Sequence, residues 1–472
     1  MRFLTDLLLG VLLIVVLAVW VMLPWPGAIV LAALIAGWLA FSRRGRQAAS
    51  VAGVGISTLR QRLGASAVIV VGIAGVVGVL VALLAMAEGY SETLKKTGSV
   101  DTAIVMRGAS ASEVMSVLER ESIVQIAQAP GVARSAKGEP IASDEIVVAA
   151  NLPVKGGAAD EEGSVQLRGV GEQAWAVRPQ VRIVDGRKFT PGLRELIVGR
   201  GAARQFANLV PGAEVKLVEG RKFTPGLREL IVGRGAARQF AGLTPGSEIR
   251  LGAQPWTVAG VFASGDAMES ELWGDATAVA ETYRRGSSRN AVTVRLEDPK
   301  SFAAFKTALE ANPQLKIDAA TTLDYFGKQS EQMTRVIKAM GLAVGAIMAI
   351  GAMFGALNTM FAAVAARARE IATLRAIGFP GLPVVVAVML ETMLLALVGG
   401  LIGGALAWLV FNGYSASTMA GGSVGQLAFQ LHVTPELLWT GLKWALAIGF
   451  IGGLFPAVRA ARLPVTTALR EL

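Results

Sequence analysis

The sequence predicts a polytopic α-helical membrane protein that carries a large α+β domain outside the membrane. Three observations lead there. Of 472 residues, 53% are hydrophobic and only 17% charged, against about 25% charged in ordinary soluble chains. The hydrophobicity, +0.53 as mean hydropathy, is concentrated at the two ends, in runs of the roughly 20 apolar residues that a bilayer requires. Between them lies a stretch of mixed, turn-punctuated sequence long enough to fold as a domain.

Four runs are predicted to be core transmembrane helices. Residues 67–87 hold no charge, and the helix is expected to end at Glu88-Gly89. Ala339–Ala366 is apolar apart from Asn358 and Thr359, and Leu382–Val410 holds one acid, Glu391. Leu437–Val458 holds one base, Lys443, and is expected to end at Pro456. All four are rich in Gly and Ala, which let helices approach closely where lipid is as apolar as the side chains. Ahead of them, Leu7–Leu23 and Ala28–Phe41 flank Pro24-Trp25-Pro26-Gly27. Residues 1–42 read as an uncleaved transmembrane hairpin rather than a signal peptide. The apolar core is long, no A-x-A site closes it, and a second apolar run follows.

Orientation follows from the positions of Lys and Arg. The segment 43–66 carries Arg43, Arg44, Arg46, Arg60 and Arg62 with no acid. Arg367, Arg369 and Arg375 follow the second core span, Arg459, Arg462 and Arg470 lie near the C-terminus, and residues 411–436 have no base. Both termini are therefore expected on the cytoplasmic side of the membrane and residues 88–335 outside it. The formal net charge is +10, yet residues 88–335 hold 31 basic and 30 acidic residues. The surplus sits on the membrane half as a positive-inside signal and marks no nucleic-acid partner.

Strands in the outer domain are expected at Glu145–Ala149, Ser164–Arg168, Glu195–Val198, Glu248–Leu251, Trp256–Phe262 and Ala291–Leu296. Helices are expected at Ala111–Gln128 and Pro299–Ala311, and Pro-Gly pairs supply turns. Gly186–Ala207 and Gly220–Ala241 are identical, so residues 186–219 and 220–253 form a tandem repeat of one strand–helix–strand unit. A solenoid would show more copies, and more divergent ones. A tandem duplication is the expectation, with only one copy in the original place in the fold.

Catalytic chemistry is not legible. No G-x-x-x-x-G-K-[ST] occurs, so these residues include no phosphate-cradling loop of that kind. With no cysteine and a single histidine, His432, thiol nucleophiles and His/Cys metal sets have nothing to draw on. Asp160-Glu161-Glu162 reads as a solvated loop, and Glu269 and Glu271 as alternating residues of a strand face that weakly fits a cation. No cofactor, metal or enzymatic activity is expected. The informative stretch is Asn358–Gly378, where an apolar helix is predicted to run unbroken, from Ala339 through Leu374, into a basic amphipathic segment. Ile371, Leu374 and Ile377 would share one face, and Arg367, Arg369 and Arg375 would face the cytoplasm.

Ala365–Gly378 with Val386–Leu406, and Phe455–Leu469, resemble the signature of the FtsX/MacB/LolC-E superfamily of ABC transporter permeases, and Ala65–Gly89 and Glu269–Asp275 fit the same group. The resemblance implies four membrane helices, a large extracytoplasmic domain between the first two, and a permease domain over residues 337–472. The chain departs from this plan in the apolar hairpin at Leu7–Phe41 and in the doubled unit. The resemblance further implies two permease chains working with two copies of a separate ABC ATPase, in contact with membrane lipids and with a periplasmic adaptor protein. ATP-driven motion would be transmitted outward to extract or export a lipoprotein, lipid-like or peptide substrate. The alternative, drawn from cell-division members, is a non-transporting scaffold that activates an envelope enzyme. By matching position, ATPase coupling falls to Arg367, Arg369, Glu370, Thr373, Leu374, Arg375 and Gly378. Glu391, expected about two turns into its span, is either a functional intramembrane acid or a helix–helix hydrogen-bonding group.

Overall fold

The computed structural model describes residues 16, 19–57, 59, 62–153, 162–181, 194–195, 222–224, 229–233, 236, 240, 248–251, 254–419 and 426–462. In chain order the helices are α1 (Trp25–Phe41), α2 (Arg43–Ser57), α3 (Leu63–Thr97), α4 (Arg120–Ala127), α5 (Ala174–Val177), α6 (Ala276–Thr282), α7 (Ser301–Glu310), α8 (Thr322–Ala366), α9 (Ala368–Ala376), α10 (Gly381–Phe411) and α11 (Pro435–Arg462). Two compact units result, one made of Met1–Ala87, Val336–Tyr414 and Leu431–Leu472, the other of Glu88–Arg335 and Ser415–Gln430.

Among the described residues four helices are long and apolar enough to cross a membrane: α3 from Ser66, α8, α10 and α11. Three of them differ from the sequence expectation at their ends: α8 begins at Thr322, 17 residues ahead of the apolar run that starts at Ala339. Helix α3 does not stop at Glu88-Gly89 but continues to Thr97, because nothing in Tyr90–Thr97 breaks a helix and Glu92 pairs with Lys96 one turn on at 2.7 Å. Helix α11 does not stop at Pro456 but runs through it to Arg462. Pro456 is buried in the bundle, where packing offsets the roughly 3 kcal/mol that an interior proline costs. Helices pack closely through small residues: Gly399 and Gly403 of α10 face Val70 and Ala74 of α3, and Gly400 faces Leu442 and Ala445 of α11.

The first half of the N-terminal hairpin lies largely outside the described residues. Residues 19–22 are helical, Leu23 and Pro24 are not, and α1 starts at Trp25 with a proline in its first turn. The base Lys443 of α11 donates to the carbonyl of Val21 at 2.5 Å, at the interrupted end of that turn. Helix α1 ends at Ser42, whose hydroxyl accepts from the Gly45 amide at 2.8 Å and caps the next helix. The chain bends by 96° there, into α2.

The second unit is built on a sheet of nine strands among the described residues, in the order β11-β1-β10-β2-β3-β9-β6-β8-β7. The strands are β1 (Thr102–Arg107), β2 (Ala142–Pro153), β3 (Glu162–Val170), β6 (Glu229–Gly233), β7 (Glu248–Leu251), β8 (Gln254–Phe262), β9 (Leu272–Asp275), β10 (Ala291–Arg295) and β11 (Ile317–Thr321). Pairing is antiparallel except at β3–β9 and β6–β8. A core of Val105, Ile126, Val292, Phe305 and Leu309 forms where α4 and α7 pack on β1 and β10. The expected helix Ala111–Gln128 is shorter. A 3₁₀ turn, Glu113–Met115, precedes α4, and Leu118 between them is extended because it exchanges backbone hydrogen bonds with Arg289.

In the duplicated region, the second copy supplies β6, which is seated between β9 and β8. The described part of the first copy is β4 (Arg194–Glu195), paired with β5 (Lys222–Thr224) of the second; its expected strand beyond Glu195 and its helix lie outside the described residues. Strands β12 (Ser415–Met419) and β13 (Gln426–Gln430), between α10 and α11, form a hairpin within the second unit. Phe429 meets Tyr90 edge-on at 5.7 Å.

Candidate functional site: the cytoplasmic elbow

The residues of the expected coupling segment fold as an elbow rather than as one continuous helix. Helix α8 ends at Ala366, Arg367 leaves helical geometry (φ −105°, ψ 12°), and α9 restarts at Ala368. The Arg367 amide still reaches the Val364 carbonyl in a tight turn, while its own carbonyl starts the new helix by accepting from Ile371 at 3.0 Å. The side chain is buried at the break. Arg367 points inward, 8% exposed, and places Nη1 3.1 Å from Oε2 of Glu391, itself 4% exposed. Position 367 lies three residues beyond Val364 on the buried stripe Ala356, Met360 and Val364 of α8, so it falls on the inward face of that helix.

The other end of α9 is closed by backbone geometry. Gly378 sits at φ +102°. Its amide donates to Arg375 O at 3.2 Å, and the Phe379 amide donates to Leu374 O at 3.1 Å. This is a Schellman cap, in which the position after the helix must be left-handed and therefore favours glycine. Pro380 then starts α10.

The seven expected coupling residues therefore separate. Arg369, Glu370, Thr373 and Gly378 are exposed, Leu374 and Arg375 are half-buried, and Arg367 is buried. Glu370 joins the buried pair from its rim, accepting from Arg367 Nε at 3.1 Å. Glu391 lies about three turns into α10 at 3.6 residues per turn, and its partner is Arg367. Leu374 and Phe379 pack against Ala387 of α10 and against Val51 and Ala52 of α2. A cavity of about 440 Å³ lies beside the pair, lined by Val54, Ile371, Leu374, Val384 and Val388 among others.

In the outer domain, Glu269 and Glu271 do not alternate on a strand. Ala267–Ser270 is a 3₁₀ turn with Asp266 as its cap, accepting from the Met268 amide at 3.0 Å. Glu271 turns inward, where it accepts from Arg168 Nε at 2.8 Å, Gln166 at 2.7 Å and the Trp273 indole at 2.7 Å. Arg168 also contacts Glu113 and Glu145, each at 2.7 Å, and Arg178 pairs with Glu145. Burial pushes the Glu113 carboxyl up against the pull of Arg168. Burial acts on Glu145 too, but Arg178 and Arg168 outweigh it and hold that carboxyl below its ordinary range. A charged cluster inside a sheet survives only when paired in this way. Nothing in the spacing of residues 113, 145, 168, 178 and 271 announces it. Ser164, Gln166 and Arg168 alternate with Val165 and Leu167 along β3, the pattern of a half-exposed strand, so a local reading leaves Arg168 in solvent.

Four apolar spans, with an α+β domain inserted after the first, define a multi-pass inner-membrane protein. Residues 342–465 match the FtsX-like permease C-terminal family and residues 212–312 the MacB-like periplasmic core domain. Two segments of the chain therefore match domains found in FtsX/MacB-type ABC transporter permeases. It is 26% identical over 233 residues to the macrolide export ATP-binding/permease protein MacB of Neisseria gonorrhoeae, covering 46% of this chain and 34% of that protein. It is 28% identical over 144 residues to the ABC transporter permease YknZ of Bacillus subtilis, covering 30% of this chain and 33% of that one. The chain thus spans about a third of the length of these relatives. The periplasmic region of MacB from Actinobacillus actinomycetemcomitans aligns with a TM-score of 0.32 at 15% identity, covering 49% of this chain and 92% of that one.

Proposed function

We propose that the chain is the membrane subunit of a MacB-type ABC machine, in which a separate ATPase docks on the exposed face of α9 and drives conformational work in the extracytoplasmic domain. The observation that carries this reading is the elbow itself: a short helix stopped at both ends, with Arg369, Glu370 and Thr373 on its exposed side, within the segment that matches the FtsX-like permease family. Helix α8 continues from it over 45 residues, about 68 Å at 1.5 Å per residue, more than twice the roughly 30 Å of a bilayer core. Such a rod can carry displacement beyond the membrane. Two permease chains with two ATPases complete the machine, and the substrate class is lipoprotein, lipid-like or peptide. The macrolide export in the name of the MacB relatives supports an export direction.

Co-purification tests the docking. The double charge reversal Arg369→Glu/Arg375→Glu should strip ATPase activity from affinity-purified membrane complexes while leaving the permease in the membrane. Undiminished ATPase in the eluate would overturn the docking site. Arg367 is the wrong residue for this test, since reversing it disrupts a buried pair.

A further inference from the structure

Three elements converge on the Arg367–Glu391 pair. Arg367 is the elbow residue between α8 and α9, and Glu391 belongs to α10. The third is α2, at Gly55. A Cβ placed there would stand 3.0 Å from Arg367 Nη1 and 3.0 Å from Glu391 Oε2, so α2 lies directly against the two charged groups and a larger residue would push into them. The rest of that helix face agrees: Gly45, Ala48, Val51, Ala52 and Gly55 are buried. Just beyond α2, Arg62 reaches the Ala363 carbonyl near the end of α8 at 3.5 Å.

We infer that Arg367 and Glu391 are a positioning pair that sets the angle of α9 against α10, and that α2 is a clamp holding the pair closed through Gly55. The physics favours two states over a graded motion. A buried ion pair is retained only while both partners stay together, because either charge left alone is strongly penalised. The groove of about 440 Å³ between α2, α9 and α10 leaves this seam incompletely filled, whereas a filled interior would resist displacement. Opening the clamp would therefore release α9 as a unit. In the ATP-driven cycle this makes α2 a checkpoint on coupling, an inference that rests on the docking of an ATPase at α9.

The chain has no cysteine, so Thr373→Cys on α9 and Leu401→Cys on α10, at a site 57% exposed, can carry the only two spin labels. The labelled full-length chain in lipid nanodiscs should give one narrow distance population by pulsed electron resonance. Glu391→Gln, which keeps the side-chain shape, and Gly55→Val, which wedges α2 away, should each split or broaden it. The exchange Arg367→Glu/Glu391→Arg should restore the narrow population. A narrow population in both single variants overturns the clamp, and broadening that the exchange fails to reverse overturns the ion pair as its cause. A residue of merely structural importance would lower the melting temperature without moving the distance. With the co-purified ATPase, adding ATP should shift the distance in the parent, whereas Glu391→Gln should keep the ATPase bound and lose the shift. If no ATPase binds even the unlabelled parent, the docking proposal fails, and the distances without ATP still decide the clamp.

Discussion

Asp266 caps a 3₁₀ turn with one carboxylate oxygen, while the other is buried without a hydrogen-bond partner among the described residues. Burial pushes its carboxyl up to about 6. Because the folded value lies above the ordinary one, the protonated form is favoured by folding. The stabilisation is fully present below the unfolded value near 3.8 and is lost as pH rises through about 6. The parent chain should therefore gain stability between pH 7 and pH 5, on the order of 1 kcal/mol from this group, and Asp266→Asn should flatten that gain. Denaturant midpoints at the two pH values measure the difference, and equal slopes in parent and variant would discard the assignment. Arg168 shows the opposite arrangement. Burial disfavours its charge, but Glu113, Glu271 and Glu145 surround it and outweigh that cost.

At the scale of the element, α9 shows how a short helix is made from competing local signals. Its nine residues are too few to be stable alone, so its ends matter. Arg367 interrupts the helical path at one end, and the Gly378 cap stops it at the other. Replacing Gly378 by Ala puts a side chain into left-handed geometry, at a cost of about 1–2 kcal/mol. Amide hydrogen exchange should quicken across Ala368–Ala376 while the α10 amides keep their protection. Unchanged exchange in α9 would show that the cap does not hold this helix. The glycine and its following proline are legible in the sequence as a stop. The break at Arg367 is not, since no glycine or proline marks it, and the group that pairs with its side chain, Glu391, lies on another helix. The same holds for β1, whose residues are buried on both faces except Arg107 and so show none of the alternation that marks a half-exposed strand.

For the whole molecule, the duplicated unit gives the sharpest test. Deleting residues 186–219 joins Asp185 to Gly220 and restores the junction that already precedes the first copy, since both copies begin with the same residues. The second copy would keep its place between β9 and β8. It is also the copy within the match to the MacB-like periplasmic core domain, which begins at residue 212. The shortened chain should insert, fold and melt cooperatively with the parent midpoint. Collapse of the melting transition would mean that the first copy has become part of the fold.

Span positions, orientation and the separate outer domain could be read from the sequence because they depend on sums over neighbouring residues: about 20 apolar side chains per crossing and the count of Arg and Lys in short loops. Tertiary structure alone decided which charges leave solvent. Arg367, Arg168 and Glu271 are ordinary charged residues in a local window. Each is turned inward by partners far away in the chain, and a buried charge is tolerated only where such partners converge. The pairing of Arg367 with Glu391, the lodging of Gly55 against the ion pair and the seating of the second repeat copy in the sheet all follow from contacts between distant segments, which no local sum contains.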